Sequence, residues 1–398
     1  MPDHIDSASA LPIEFFLLLF PVELICLITR LTNEYAVWRM SQLGARFDDL
    51  WEEVTVHEMR AFLGINILMG INQLPEAKMY WSTDPLIGNT AVSKIMTINR
   101  FQQIMKYLHV SDRTTEPTRD QPGFDKLFKV RPVLDSLSDT FRRYFTLHRE
   151  VSIDEAMVAF AGRLSYRQYM PAKPVKRGIK VWMLCDAQSA YLSRFDIYLG
   201  RQENRTEHGL GHNVVMKLSD HLRHSFRWLF FDNFFTGVEL MQRLLDVGLY
   251  ACGTVRTNRK GFPQELKKPS DVRNRGDFKV LQKRNSNLTA SVWRDKKPVH
   301  HLSTLSDPRM ILPVQRQVGP RLMNLQQPHS VSQYNKFMGG VDLQDQFRST
   351  YPVGRNGKKS WRYIFWFLLN SAIVNAWILY SDFSTRTTKK RYMLLTSG

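Results

Sequence analysis

The chain has 398 residues, with 55 Lys and Arg against 37 Asp and Glu, a formal charge of +18 at pH 7. That length exceeds one ordinary domain, and 43% hydrophobic with 12% aromatic residues gives enough apolar surface to offset the entropy of ordering. Wholesale disorder is excluded. Three scattered cysteines, Cys26, Cys185 and Cys252, form no CxxC pair, which excludes a readable disulfide framework or zinc module and fits a reducing compartment.

The first apolar stretch, Leu11 to Ile28, is interrupted by Pro12, Glu14, Pro21 and Glu23, so core helices are expected there rather than a membrane span. Residues 13–150 read as helical, with apolar positions at three and four residue spacing in Pro21 to Arg30, Val56 to Met69 and Ser93 to Leu108. Near Val151 the texture changes. Val151 to Asp154 and Gly178 to Asp186 read as short strands, Asp186 to Ala190 as a hairpin turn, and Tyr191 to Leu199 as the returning strand. His212 to His224 and Thr236 to Val247 read as helices on either side of the strand Phe226 to Asp232. Strands linked by crossover helices predict an α/β sheet. Arg259 to Pro328 carries 15 basic against 5 acidic residues, with strand-like pieces Phe278 to Gln282 and Leu288 to Trp293, and reads as a basic insertion. Trp361 to Tyr380 is a strongly apolar helix; Arg362, Asn370 and Asn375 favour packing in a core over spanning a membrane.

The charge is uneven: 16 basic against 19 acidic residues up to residue 150, and 39 against 18 beyond it, hence −3 and +21. Clustered Lys and Arg release counterions when they neutralise phosphates, so this excess points to a polyanion; a solvated surface has the same composition. Three aspartates fall at informative places. Asp154 ends a strand, Asp232 ends the strand before Asn233 to Gly237, and Asp342 follows Met338-Gly-Gly-Val341 at a helix start. Open α/β sheets bind ligands beyond the carboxyl ends of their strands. Convergent carboxylates repel unless a hard cation such as Mg²⁺ or Mn²⁺ lies between them, and two such ions suit in-line attack at phosphorus. Aspartate is equally routine at strand ends and helix caps, so spacing alone leaves both readings open.

The words around these aspartates say more. Ser152-Ile-Asp-Glu-Ala-Met157, Phe160-Ala-Gly-Arg163, Tyr169 to Pro174 and Gly178-Ile-Lys180, then Phe231-Asp-Asn-Phe-Phe-Thr236, Cys252 to Asn258, and Tyr334 to Gln346, together resemble piggyBac-type transposases. The resemblance runs from about Pro12 to Tyr380, and includes Trp361-Arg362 and Asn375-Ala-Trp377.

It implies a ribonuclease-H-like catalytic core (residues 151–258 and 329–350), interrupted by a basic insertion (259–328) and flanked by a largely helical dimerisation and DNA-binding domain (12–150 and 351–398). Asp154, Asp232 and Asp342 then match the catalytic Mg²⁺- or Mn²⁺-binding triad, and Asp345 a further acidic position on the same helix face that steadies it. Lys173, Lys176, Arg177, Lys180, Arg256, Arg259, Lys260, Lys358 and Lys359 become candidates for phosphate contacts on double-stranded DNA. The implied function is cutting transposon ends and joining them at TTAA targets in the nucleus, as a homodimer and without a membrane. The family's cysteine-rich zinc tail has no counterpart after Cys252, and no acidic leader precedes the matching text. His208 and His212 are four apart, but Gly209 and Gly211 favour a turn over a metal site, and Trp293 and Trp361 favour packing over base stacking. Two further functions compete: a domesticated DNA-binding protein that no longer transposes, and a nuclease acting on RNA, for which no RNA-reading module is visible.

Overall fold

A computed structural model describes residues 10–42, 51–200, 208–354 and 357–396. Helices α1 (Pro12–Leu19), α2 (Val22–Met40), α3 (Val56–Ile71), α4 (Thr90–Ile95), α5 (Ile98–Tyr107) and α6 (Arg131–Arg143) come first. Strands β1 (Glu150–Ala159), β2 (Gln168–Tyr169), β3 (Arg177–Asp186) and β4 (Leu192–Ile197) follow, then α7 (Leu210–Ser219), β5 (Trp228–Phe231), α8 (Val238–Asp246) and β6 (Tyr250–Thr254). The remainder is β7 (Phe278–Gln282), β8 (Thr289–Arg294), β9 (Pro298–Ser303), β10 (Ile311–Val318), β11 (Arg321–Pro328), α9 (His329–Phe337), α10 (Gly340–Thr350) and α11 (Ser360–Thr396). The chain folds as two compact units, a helical one within 1–145, 157–179 and 346–398, and a sheet one within 146–156 and 180–345.

In the helical unit, local chemistry sets the helix starts. At α3 the Thr55 hydroxyl accepts from the Glu58 N–H at 3.2 Å while the Glu58 carboxylate takes the Thr55 N–H at 3.0 Å, a reciprocal cap. The single helix expected over Ser93 to Leu108 is broken into α4 and α5: Met96 is extended, and the Thr97 hydroxyl caps α5 by accepting from the Arg100 N–H at 3.3 Å. The apolar face of α11 buries Phe365, Leu368, Leu369 and Ala372 completely, and Phe15 of α1 meets its Tyr380 and Phe383 rings at 5.6 and 5.4 Å. By length and hydropathy Ser360–Arg386 could cross a membrane, yet 72% of its apolar window is buried in protein. Asn370 donates to the Arg348 carbonyl at 2.9 Å, satisfying the polar group that the sequence placed in this apolar run.

In the sheet unit the strand order is β4-β3-β1-β5-β6-β9-β8-β7, with β10 and β11 forming a separate antiparallel pair. The strands β1, β5 and β6 run parallel, with Ile153 opposite Phe231 and Phe231 opposite Gly253. Their continuous apolar runs suit strands buried on both faces. The basic segment supplies β7, β8 and β9 as antiparallel extensions of this sheet. The turn at Asp186 to Ala190 forms as expected, because the Asp186 carboxylate accepts the N–H groups of Gln188 and Ser189 at 3.1 and 2.9 Å. Strand β1 continues to Ala159, five residues past Asp154, so that aspartate does not end the strand; what ends at Ile153 is the pairing with β5.

Helices α9 and α10 bring the last acidic motif to this sheet. Phe337 packs on Phe230 and Cys252, with Tyr334 and Met338 beside them. At the start of α10, Gly340 comes so close to the sheet that a Cβ would collide with the Ser152 hydroxyl and stand 3.0 Å from the Asp186 carbonyl. Nothing lies within 4 Å of the equivalent point on Gly339. Gly340→Ala is therefore expected to destabilise the protein by about 1–3 kcal/mol, and Gly339→Ala by less than about 0.5 kcal/mol, in urea unfolding. Equal costs at the two positions would contradict this packing.

Candidate active site

The parallel register places Asp154 and Asp232 each one residue beyond the paired Ile153 and Phe231, on neighbouring strands. The chain leaves β5 in a tight turn because the Asp232 carboxylate accepts the Phe234 N–H at 2.9 Å and its carbonyl accepts the Thr236 hydroxyl at 2.8 Å. Two arginines clamp that turn. Arg256 donates to the Asn233 side-chain oxygen at 3.0 Å, and Arg259 donates to the Asn233 and Phe234 carbonyls at 2.9 and 2.6 Å. Burial lowers the Arg259 pKa and nearby Arg256 adds to this, while Asp232 opposes both.

Lys180 is buried among these groups. Its ammonium lies 3.6 Å from the Glu155 carboxylate, 3.8 Å from the Trp182 ring centre and 5.0 Å from that of Phe234. Burial pulls its pKa down, and Glu155, Asp154 and Asp232 act in the opposite sense. Tyr334, whose hydroxyl is 3.4 Å from that of Thr254, is pushed up to about 12 by burial, with Asp232 and Asp154 adding to the shift. The fields of both aspartates thus overlap at Lys180 and at Tyr334. Asp342 is exposed in the first turn of α10, two residues after the Gly340 that packs on Ser152, and Ser152 shares the strand face of Asp154. Asp345 is half-buried one turn further along α10.

Carboxylate oxygens are the donors that hard divalent cations select, so the chemistry of this set fits Mg²⁺ or Mn²⁺. Among the described residues, however, no three Asp, Glu, His or Cys side chains are gathered closely enough to hold an ion between them. The fit therefore rests on donor type and on the strand and helix placement, not on a closed cage.

The other expected residues are dispersed. In the helical unit Lys176, Arg177 and Lys358 are exposed, Lys173 and Lys359 are half-buried, and Arg177 stacks 4.9 Å over Tyr169. In the sheet unit Arg256 and Lys260 are exposed, whereas Lys180 faces the carboxylates. His208 pairs with Glu239 at 2.7 Å before α7, while His212 lies within that helix, as the helical reading from His212 expected, and the turn expected from Gly209 and Gly211 does not extend to it. Trp293 is buried, its ring N–H donating to the Gln326 carbonyl at 2.9 Å, and Trp361 is buried as well. Sequence reasoning assigned no role to Tyr334 or Asn233, although both stand inside the quoted motifs. Lys180 inside a run buried on both faces was the available signal of an inward-facing cation.

Lys180→Met removes the cation from a buried carboxylate set and is expected to cost about 2–4 kcal/mol in chemical unfolding at pH 7. Combined with Glu155→Gln in a double-mutant cycle, the coupling should be about 1–2 kcal/mol. A coupling of zero would mean that the two side chains do not interact.

Comparison with known proteins bears on the family and the fold. The family model described as Transposase IS4 matches residues 11–377. The human (Homo sapiens) PiggyBac transposable element-derived protein 3 is 30% identical over 395 residues, covering 97% of this chain and 64% of that protein. The human PiggyBac transposable element-derived protein 2 is 29% identical over 391 residues, covering 95% of this chain and 63% of that protein. The chain thus spans a little under two thirds of the length of these relatives. A cryo-EM structure of a piggyBac transposase synaptic complex with hairpin DNA matches with a TM-score of 0.80 at 28% identity, over 95% of this chain and 76% of that one. With a family match over most of its length and a mixed α/β fold shared with a solved transposase, the chain belongs to the piggyBac-type Transposase IS4 family.

Proposed function

We propose that this protein is a DNA transposase of the DDD type, cutting and joining phosphodiester bonds at a site made by Asp154, Asp232 and Asp342. One observation carries the reading: the β1–β5 register sets two aspartates side by side on parallel strands, and Gly340 lets the helix bearing the third pack against the same strand. The order β4-β3-β1-β5-β6, with the last three strands parallel, supports a ribonuclease-H-like core. The relative solved with hairpin DNA supports DNA as the substrate; the proposal adds transposon ends joined at TTAA targets, a dimer and the nucleus.

In this reading Asp154, Asp232 and Asp342 hold divalent metal, with Asp345 steadying the helix-borne carboxylate. A bound Mg²⁺ or Mn²⁺ supplies charge stabilisation at the scissile phosphate and activation of the attacking 3′ hydroxyl or water. The chain's own contribution is positional. Arg256 and Arg259 hold the Asn233 turn, which fixes the direction of Asp232. Lys180 balances negative charge on β1, so that the carboxylates are tolerated before substrate arrives. Tyr334, kept protonated by its raised pKa, offers a neutral hydroxyl within the influence of Asp232 and Asp154.

The names of the human relatives, transposable element-derived proteins, favour a second reading: a domesticated DNA-binding protein that keeps the fold without transposing. Incubation with transposon-end DNA and Mg²⁺ or Mn²⁺ separates the two. The transposase reading expects nicking and strand transfer by wild type, and a loss of at least about 100-fold in Asp232→Asn and Asp342→Ala with unfolding midpoints nearly unchanged. Wild type as inactive as both variants, with DNA binding intact in all three, contradicts catalysis and leaves the binding protein.

A further inference from the structure

The segment Asn375-Ala-Trp377 belongs to the text shared with the family, yet it has no role in the carboxylate site. Trp377 on α11 is 52% exposed, whereas its neighbours Ala376 and Ile378 are 5% exposed each. Phe347 of α10 holds the Trp377 ring edge-on, with centroids 5.1 Å apart. The Trp377 side chain forms one wall of a cavity of about 450 Å³ in the helical unit, bounded by α1, α2, α3 and α11.

Helix periodicity builds these walls. On α11, Ile373, Ala376, Trp377 and Tyr380 follow the three and four residue spacing of a single face, and on α3 Arg60, Leu63, Gly64 and Ile67 do the same. Ile13, 48% exposed, and the half-buried Phe16 add a third side from α1. Gly64 keeps the hollow open. Its backbone is helical, so no left-handed conformation calls for glycine, and nothing lies within 4 Å of the point where a Cβ would stand, so no close approach calls for it either. Glycine inside a helix is less stable than alanine; at this position the chain gives up helix stability and gains only space.

Arg60 is the one charged residue among the described residues that line the cavity. It is exposed, one helical turn before Gly64, and among the described residues it enters no ion pair. Apolar walls with a single cation match a molecule that has an apolar tail and one anionic head, and a guanidinium takes a carboxylate through two parallel N–H···O bonds. The volume lies within the range of small-ligand cavities, about 300–1,000 Å³. A protein interface takes about 800 Å² from each partner, far more than a hollow of this size presents. We propose that this cavity binds a medium- or long-chain aliphatic carboxylate, its chain against Gly64 and Trp377 and its head on the Arg60 guanidinium. The site shares no residue with the carboxylate set and does not depend on the transposase reading.

The test is calorimetric titration of the full chain at about pH 8 with octanoate, decanoate and dodecanoate, each below its micelle-forming concentration, and with dodecanol as the uncharged counterpart. Wild type should take up dodecanoate, with affinity rising about fourfold for each methylene added along the series, the factor set by burying one CH₂. Gly64→Leu fills the cavity from a helix position that accepts leucine, and should weaken dodecanoate at least about tenfold while the unfolding midpoint holds or rises. Trp377→Ala, at an exposed position, should weaken it about fivefold and serves if Gly64→Leu does not fold. Arg60→Gln should weaken dodecanoate at least about fivefold and leave dodecanol within about twofold of wild type. Affinity independent of chain length, or unchanged in both Gly64→Leu and Trp377→Ala, would overturn the site. Equal losses of dodecanoate and dodecanol in Arg60→Gln would overturn the carboxylate assignment. Binding of a helical peptide rich in leucine and glutamate, or a homodimer that Gly64→Leu dissociates, with no uptake of dodecanoate, would assign the cavity to a protein partner and overturn the proposal. Asp232→Asn should bind dodecanoate like wild type.

Discussion

The parallel pairing of β1 with β5 is the constraint on which the rest of the sheet unit depends. Ile153 opposite Phe231 fixes which side chains emerge next on each strand, and both are aspartates. A slip of one residue would turn each carboxylate to the other face of the sheet. The register is protected by complete burial of Val151, Ile153, Phe230 and Phe231, whose apolar surfaces have no other place to go. Helix α9 reinforces it by packing Phe337 on Phe230 and Cys252, which in turn delivers Gly340 and the start of α10 to Ser152.

Placing acids on a buried strand creates an electrostatic problem, and the chain answers it with a cation of its own. Asp154 and Glu155 are 9% and 8% exposed, too little for water to screen them fully. Lys180 lies against Glu155 and over two aromatic rings, so its charge is held by a carboxylate and by π faces together. The helical unit shows the opposite imbalance around Lys359, where burial lowers the pKa and Arg362, Lys129, Arg39 and Arg113 lower it further. In both units, unbalanced charge is held in place by well-packed aromatic surroundings, and such placement is more informative than the net charge of +18.

Much of the sheet was legible because its strands follow short-range rules. Runs of branched residues marked β1, β3 and β5, and Asp186-Ala-Gln-Ser-Ala190 announced its turn through the carboxylate that caps its own backbone. The break between α4 and α5 was not read, because apolar spacing continues through Met96 while Thr97 starts a new helix by its hydroxyl. The hairpin β10–β11 and strand β9 were missed: β10 and β11 are rich in amide and charged residues and lack a long apolar run, and β9 is short, carries two histidines and takes one of its partners, β6, from about 50 residues away. For the candidate site, the motif words singled out the three aspartates, while the inward turn of Lys180 depends on strand pairing and the position of Tyr334 on the packing of α9 against the sheet, neither of which spacing encodes. The cation set of the helical unit joins residues more than 300 positions apart, from Arg39 to Arg362, and no local pattern announces it.

The central claim is that Asp154, Asp232 and Asp342 act as one divalent-metal site. The most direct measurement is calorimetric titration of the full chain with Mn²⁺, comparing wild type with Asp154→Asn and Asp342→Asn. The account predicts binding by wild type that each single substitution abolishes or weakens by at least about tenfold. Mn²⁺ binding of equal strength in all three proteins would contradict it.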